Sequence, residues 1–322
     1  MKNRFIIFLF VLSLAGCKPT TDKAKTSVIT PRVLSEAVLA EGQLHRIDSF
    51  PSKYVMPRTV DIWTPKDYSE EKEYAVLYMH DGQNLFDATT TWNNQEWMID
   101  ELASKLMSEG EIKDIIVVGI HNIPEIRHYE YFPRKAFLML SEKDQDSIIS
   151  DARKNNSDIS LNSFTADDYL KFIVEEVKSY VDENFSTATE RDNTVISGSS
   201  MGGLISMYAI CEYPEVFGGA ACISTHWPGF MPKENNPMPN AFFKYLNDNI
   251  PSPETHQFYF DFGTETLDQY YPPFENDLNT IFKEKGYSEV NYKNLKFEGA
   301  DHSEASWQKR FDIPLSILFK KE

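Results

Sequence analysis

Residues 198–202 read Gly-Ser-Ser-Met-Gly, a G-x-S-x-G spacing directly behind the run Thr194-Val195-Ile196. A strand, a sharp turn and a helix around that spacing lift one serine hydroxyl above the end of a sheet, where it can attack a carbonyl carbon. Ser200 is therefore the candidate nucleophile. Gly198 and Gly202 let the strand and helix backbones approach without a Cβ clash, and Gly203 lets the helix pack closely on its neighbour. Phosphate-loop readings of the same glycines fail, because the lysine of G-x-x-x-x-G-K-[ST] and the G-x-G-x-x-G spacing are both missing.

A serine hydroxyl needs a base to take its proton and a carboxylate to orient that base, in the chain order Ser, acid, His. Of seven histidines, only His226, His256 and His302 follow Ser200. His256 begins a predicted strand, at the wrong edge of the sheet. His226 faces the right edge but leaves no later strand end to supply a base after the acid. His302, in "EGADHSEASW" beyond the last predicted strand, is the candidate base. The acid is expected in "DFGTETLDQYY", where Glu265 and Asp268 both qualify. Asp268 is preferred as the shorter acid further around the turn, but spacing alone does not separate them. An oxyanion needs two backbone N–H donors. Met201, the residue after the nucleophile, supplies one, and Gln83 or Gly82, in "HDGQNLFD", the other.

The elements that must position these groups are short β-type runs at 43–50, 58–65, 73–80, 114–121, 193–198, 218–225, 256–263 and 291–299. The first two alternate and suggest a leading antiparallel pair; later runs are apolar throughout, as in strands buried on both faces. Helical patterns lie around Trp97–Met107, from Thr165 (with Asp168 as a capping-box partner) to Val181, from Ser200 to about Cys211, and from about Phe274 to Lys285. The order predicts an α/β fold: an eight-stranded, mostly parallel sheet with helices on both faces and no large lid. Residues 139–163 are polar and poorly periodic and read as a surface excursion, partly mobile.

Net charge is −17, and a leader carrying Lys2 and Arg4 but no acid makes the remainder more negative still. So acidic a surface repels nucleic acid and anionic lipid. Residues 1–16 have the basic start, short apolar core and small-residue end of a secretory leader. Leu14-Ala15-Gly16-Cys17 resembles the lipobox of bacterial lipoproteins, which implies lipidation of Cys17, a polar tether over 17–42, a single catalytic domain over 43–322, and an exported, lipid-anchored place in the cell envelope, at the periplasmic face of the outer membrane. Cys211 and Cys222 lie in apolar surroundings and read as buried free thiols, and no Cys or His cluster has zinc spacing.

Five ordered blocks, "YMHDGQNLFD", "VVGIHNIPEIRHYEYFP", "ISGSSMGGL", "FDFGTETLD" and "GADHSEASW", resemble the putative-esterase family of α/β-hydrolases, which includes esterase D, enterochelin esterases, and feruloyl and acetylxylan esterases. The resemblance spans about residues 45–320. It implies a serine carboxylic-ester hydrolase with an acyl-enzyme intermediate and no cofactor, acting on an acylated saccharide, an aryl-acid ester or a siderophore lactone. Ser200 and His302 match the family's nucleophile and base, and both acids stay open. Alternative readings are an acyltransferase on envelope sugars and a non-catalytic lipid-anchored binding protein. Near the expected mouth stand Asn122, Arg127, Tyr131 and Trp227, with Arg127 able to meet a carboxylate or phenolate and Trp227 to stack on a sugar or aryl ring. Trp307 reads as core, on a helix with Phe311.

Overall fold

Runs that are apolar at every position become strands covered on both faces, because alternate side chains point to opposite sides of a sheet. In the computed structural model, which describes residues 29–154 and 159–321, β4 (Ala75–His80), β5 (Ile115–Ile120), β6 (Thr194–Ser199) and β7 (Gly219–Ile223) are buried throughout. Val76, Tyr78, Ile116, Val118 and Ile196 enter one core, while Leu77, Met79, Ile115, Val117 and Val195 enter the other.

The sheet has nine strands in the order β1-β2-β3-β5-β4-β6-β7-β8-β9, with β1 (Arg32–Val33), β2 (Gln43–Phe50), β3 (Arg58–Thr64), β8 (Gln257–Gly263) and β9 (Tyr292–Phe297) completing it. Pairing is antiparallel from β1 to β5 by way of β2 and β3, and parallel from β5 to β9. The predicted α/β-hydrolase arrangement is present, with one strand more than expected. That strand is β1, two residues inside the segment read as tether and too short to leave a periodic signal. Around it Leu34 is buried, and Val38 N–H and Ala40 N–H donate to Asp87 Oδ2 (3.0 Å) and Asp100 Oδ2 (2.7 Å). The leader and Cys17 lie outside the described residues.

Helices α1 (Ile99–Ser108), α2 (Arg127–Glu130), α3 (Arg134–Phe137), α4 (Glu142–Lys154), α5 (Ala166–Lys171), α6 (Lys178–Asn184), α7 (Met201–Glu212), α8 (Met238–Asn249), α9 (Glu275–Glu284), α10 (Glu304–Gln308) and α11 (Asp312–Leu318) fill the connections. The cores divide them: α1 and α11 cover one face, α5 to α9 the other. The α5–α6 stretch is continuous through a π-helical turn at Phe172–Val177. Thr165 does precede α5, but its side chain makes no capping bond, and Asp168 pairs with Lys171 instead. The supposed surface excursion contains α4, whose one buried residue, Ile148, is too little apolar face to show as a period. Cys211 and Cys222 are free and buried.

One buried ion pair ties the antiparallel edge to the connection after β5. Arg58 Nη1 and Nη2 donate to the two Glu130 oxygens at 2.7 and 2.6 Å, and both side chains are almost fully buried. Replacing Arg58 with Met should cost about 3–5 kcal/mol by stranding the Glu130 charge, whereas pairing Arg58→Met with Glu130→Met should restore much of the loss. Urea unfolding of the three proteins measures this, and equal stability of the single and double variants would contradict it.

Candidate active site

The chain leaves β6 through a bend that most residues avoid. Ser200 has φ 59° and ψ −118°, and its amide donates to Ile223 O at 2.8 Å while its carbonyl accepts from Leu204 and His226. Such strain persists only where surrounding contacts over-determine it. Glycine is required here: a Cβ on Gly198 would meet the Gly202 backbone at 2.9 Å, and one on Gly203 would meet Thr225 Oγ1 at 2.9 Å. Helix α7 starts at Met201, so its first amides have no intrahelical acceptor and its N-terminus favours negative charge.

Beyond β8 and β9 two loops interlock. Thr264 N–H and Glu265 N–H both donate to Ala300 O, and His302 N–H donates to Thr266 Oγ1 at 2.8 Å. Their meeting brings His302 Nδ1 to 2.5 Å from Asp268 Oδ1. Because a carboxylate only accepts, Nδ1 carries the proton and Nε2 is left as an acceptor. Asp268 is fully buried, and its Oδ2 accepts from Gly263 N–H (2.5 Å) and Ser224 Oγ–H (2.6 Å). Ser224 Oγ in turn accepts from Trp307 Nε1–H (3.0 Å) and Arg310 Nη2–H (2.9 Å), and Arg310 also binds the buried Asp261 carboxylate. Of the two acids left open by spacing, Asp268 meets His302; Glu265 is exposed at the start of the 3₁₀ turn Thr266–Tyr270. Ser224 and Arg310 were not singled out from sequence, where nothing in their spacing links them to Asp268.

The other histidines are engaged elsewhere. His226 spends Nδ1 on Tyr271 Oη (2.8 Å) and Nε2 on Phe230 O (3.0 Å), and burial pulls its pKa down to about 4. His256 bonds Pro214 O at 2.8 Å. His80 is buried with Nδ1 on Tyr169 Oη, and desolvation holds it neutral, with a pKa lowered to about 3.

After β4 the chain turns through Asp81 in the left-handed region (φ 59°, ψ 42°) into the 3₁₀ turn Gly82–Asn84. Arg127 donates from Nε and Nη2 to the two Asp81 oxygens at 2.7 Å each, and Asn122 Nδ2 adds a third bond at 2.6 Å. Burial alone would raise the Asp81 carboxyl, but Arg127 and Asn122 bring it below its ordinary value. A Cβ on Gly82 would meet Gly119 C at 2.5 Å, so Gly82 is pressed onto β5, while Gln83 faces the cavity that contains Ser200. Gln83 Oε1 also accepts from Asn122 N–H at 3.2 Å.

Two cavities meet at Ser200. One, of about 690 Å³, lies between α4 and the chain after β7 and is lined by Tyr129, Ile148, Ile159, Phe230, Met231 and Leu267, together with Met201 and His226. The other, of about 620 Å³, is lined by His302, Gln83, Asn84, Asn122, Arg127 and Glu304 together with Trp92, Trp97 and Trp307. Two expected mouth residues are elsewhere. Trp227 is buried against Phe243 and Phe260, in the core beneath β8, and offers no face to a ligand. Tyr131 is fully buried, with its hydroxyl oxygen accepting from Asp81 N–H and its ring under the Arg127 guanidinium. Trp227 sits inside because a ring just beyond a strand end packs against the sheet, and Tyr131 because it lies beneath Arg127 and against the Asp81 turn. Trp307 stacks on Trp97 and sets its edge against the His302 ring, 5.0 Å between centroids.

Among the described residues, Glu96, Asp100 and Glu101 are the acidic trio whose oxygens lie within 4.8 Å of one another. Burial, then the Glu101 charge, raises Glu96 to about 7; burial, then a hydrogen bond with Glu101, raises Asp100 to about 8. Glu96 and Asp100 therefore hold protons near neutrality, although the start of α1 beside them favours ionised acids.

Comparison with known proteins places the chain in a family. A family model described as "Putative esterase" matches residues 55–315. The chain is 24% identical over 272 residues to the Bacillus subtilis protein recorded as "Uncharacterized protein YbbA", covering 82% of this chain and 93% of that one. It is 21% identical to an endo-1,4-beta-xylanase/feruloyl esterase of Xylanibacter ruminicola, covering 87% of this chain and 32% of that longer protein. Among solved structures, a ferulic acid esterase of Anaeromyces mucronatus superposes with a TM-score of 0.60 at 17% identity, over 94% of this chain and 96% of the other.

The acidic trio makes a pH-dependent prediction. A carboxyl whose folded pKa is raised resists ionising, so its contribution to stability is lost as pH climbs from the ordinary carboxyl range through about 7. Glu96→Gln should therefore raise the melting temperature relative to wild type more at pH 8.5 than at pH 5. A pH-independent difference in thermal unfolding would contradict it.

Proposed function

The chain belongs to the putative esterase family, and from that membership and the geometry at Ser200 we propose a serine carboxylic-ester hydrolase with Ser200 as nucleophile, His302 as base and Asp268 as the orienting acid. The observation that carries the reading is the buried Asp268–His302 contact in the same cavity wall as a serine held in a strained bend. His302 Nε2 accepts the Ser200 Oγ proton as Oγ bonds to the ester carbonyl carbon. The amides of Met201 and Gln83 are the donors for the resulting oxyanion, and Arg127, by fixing Asp81, holds the Gln83 turn in place. Collapse breaks the bond to the alcohol oxygen, which takes the proton back from His302; water then repeats the sequence on the acyl-enzyme and releases the acid.

The acyl half is best read as an aryl or comparably apolar acid. Tyr129, Phe230, Met231, Ile148 and Ile159 line part of the cavity beside Ser200 and suit a planar ring, while Glu125, Asp151, Lys154 and Lys233 bring charge to the rest of its lining. The same class is named for the Anaeromyces mucronatus esterase, which has also been solved in complex with ferulic acid. For the N-terminal segment outside the described residues the proposal is export and acylation at Cys17, supported by Leu14-Ala15-Gly16-Cys17 behind a short apolar run; Cys17→Ser should then move the protein from the membrane to the soluble envelope fraction.

Turnover of methyl ferulate tests the chemistry. Ser200→Ala should abolish it, and Asp268→Asn should lower kcat by about 10⁴-fold. Glu265→Gln should stay at the wild-type rate. Loss of activity in Glu265→Gln with an active Asp268→Asn would reverse the assignment of the acid.

A further inference from the structure

The strand end beside Ser200 carries a second serine in unusual backbone geometry. Ser224, the residue after β7, has φ 42° and is fully buried. Its amide faces Asp261, donating to the main-chain oxygen at 2.9 Å and to Oδ1 at 3.2 Å. The residues around it grip the bend at Ser200. Ile223 O accepts from Ser200 N–H at 2.8 Å, and His226 N–H donates to Ser200 O at 3.1 Å. Thr225 Oγ1 packs against Gly203, in the first turn of α7. One short segment, 223–226, thus holds the backbone of Ser200 while the Ser224 side chain reaches Asp268.

The hydroxyl of Ser224 has one direction open to its proton. A serine oxygen offers one O–H and two lone pairs, whereas an indole N–H and a guanidinium can only donate. Trp307 Nε1–H at 3.0 Å and Arg310 Nη2–H at 2.9 Å fill both lone pairs. The proton is left for Asp268 Oδ2, 2.6 Å away. Arg310 is itself pinned, because its Nε and Nη2 meet the two oxygens of the buried Asp261 at 3.1 and 2.9 Å. A hydroxyl polarised by a cation is a stronger donor than a free one, and here it meets a carboxylate. Gly263 N–H bonds the same oxygen at 2.5 Å. One donor would leave the carboxylate free to pivot about that contact. Two, from the ends of β7 and β8, fix its plane and with it the oxygen that faces His302 Nδ1.

We propose that Ser224 is a positioning residue for the reaction at Ser200. Its hydroxyl, aimed by Trp307 and Arg310, sets the Asp268 carboxylate and hence the His302 ring, from the segment that also sets the nucleophile. The placing of base against nucleophile is therefore governed by one turn rather than by two loops that meet independently. The inference rests on the roles given to Ser200, His302 and Asp268 above and adds the group that registers them.

Variants of Ser224 separate positioning from stability. Ser224→Ala and Ser224→Gly both remove the hydroxyl, but glycine suits the positive φ and alanine does not, so Ser224→Gly should melt at the higher temperature. Even so, kcat for methyl ferulate should fall by about tenfold in both, the loss of one hydrogen bond to a charged group, with KM unchanged. Ser224→Cys keeps the shape with a weaker donor, and its kcat should lie between those of wild type and Ser224→Ala. Wild-type kcat in the alanine and glycine variants, or a fall that simply follows melting temperature, would overturn the proposal. A second measurement needs no substrate: the downfield proton resonance of His302 Nδ1, identified by its loss in His302→Gln. It should move upfield in both hydroxyl-free variants as the Asp268 contact loosens, and an unmoved resonance would count decisively against Ser224. Should wild type fail to turn over the ester, the reading of Ser200 fails by itself, and the resonance still decides Ser224.

Discussion

A carboxylate removed from water must be met by donors of the protein, or it takes up a proton and ceases to orient anything. Asp268 is such a group, and the architecture around Ser200 follows from satisfying it. Gly263 N–H and Ser224 Oγ–H fix one oxygen, which leaves the other for His302 Nδ1. Ser224 can donate there because its remaining acceptor capacity is filled by Trp307 and Arg310. Arg310 is itself held by Asp261, inside β8. The network therefore joins β7, β8 and the C-terminal helices into one support for a single imidazole ring. Gly263 belongs to it sterically as well, since a Cβ there would strike Ala300 O at 2.1 Å.

A second buried charge does the corresponding work on the other side of Ser200. Strand β4 lies between β5 and β6, so the connections after β4 and β6 run to opposite sides and leave a crevice between them. Asp81 and Ser200, the residues that leave those two strands, both have positive φ. Asp81 is held in that geometry by Arg127 and Asn122, which arrive from the chain beyond β5. Arg127 thereby spends its charge inside the protein: it shapes the turn that carries Gln83 instead of offering a free cation to a substrate. The third support, Arg58–Glu130, anchors α2, on which Arg127 stands.

Three loops surround the two cavities with different surfaces. The stretch containing α4 and the chain after β7 supplies rings and aliphatic side chains next to the charged Asp151, Lys154 and Lys233, while the chain after β4 supplies amides and one exposed indole.

The sequence alone determined whatever depends on local pattern. Continuous apolar runs marked the central strands, and glycines two before and two after a serine marked the bend, because both signals are read within a few residues. Chain order then picked His302 from three histidines. Tertiary structure decided whatever depends on distance between segments. Spacing left Glu265 and Asp268 open, since both lie in one short loop, and only the packing of that loop on Ala300 and Ser224 turned Asp268 inward. Type alone suggested Trp227 and Tyr131 as ligand contacts, whereas the exposed ring at the Ser200 cavity is Trp92. Which rings are drawn into a core and which are held in water is settled by how each loop is braced, and those braces, such as Asn93 on Glu304 across 211 positions, leave no periodic trace in the chain.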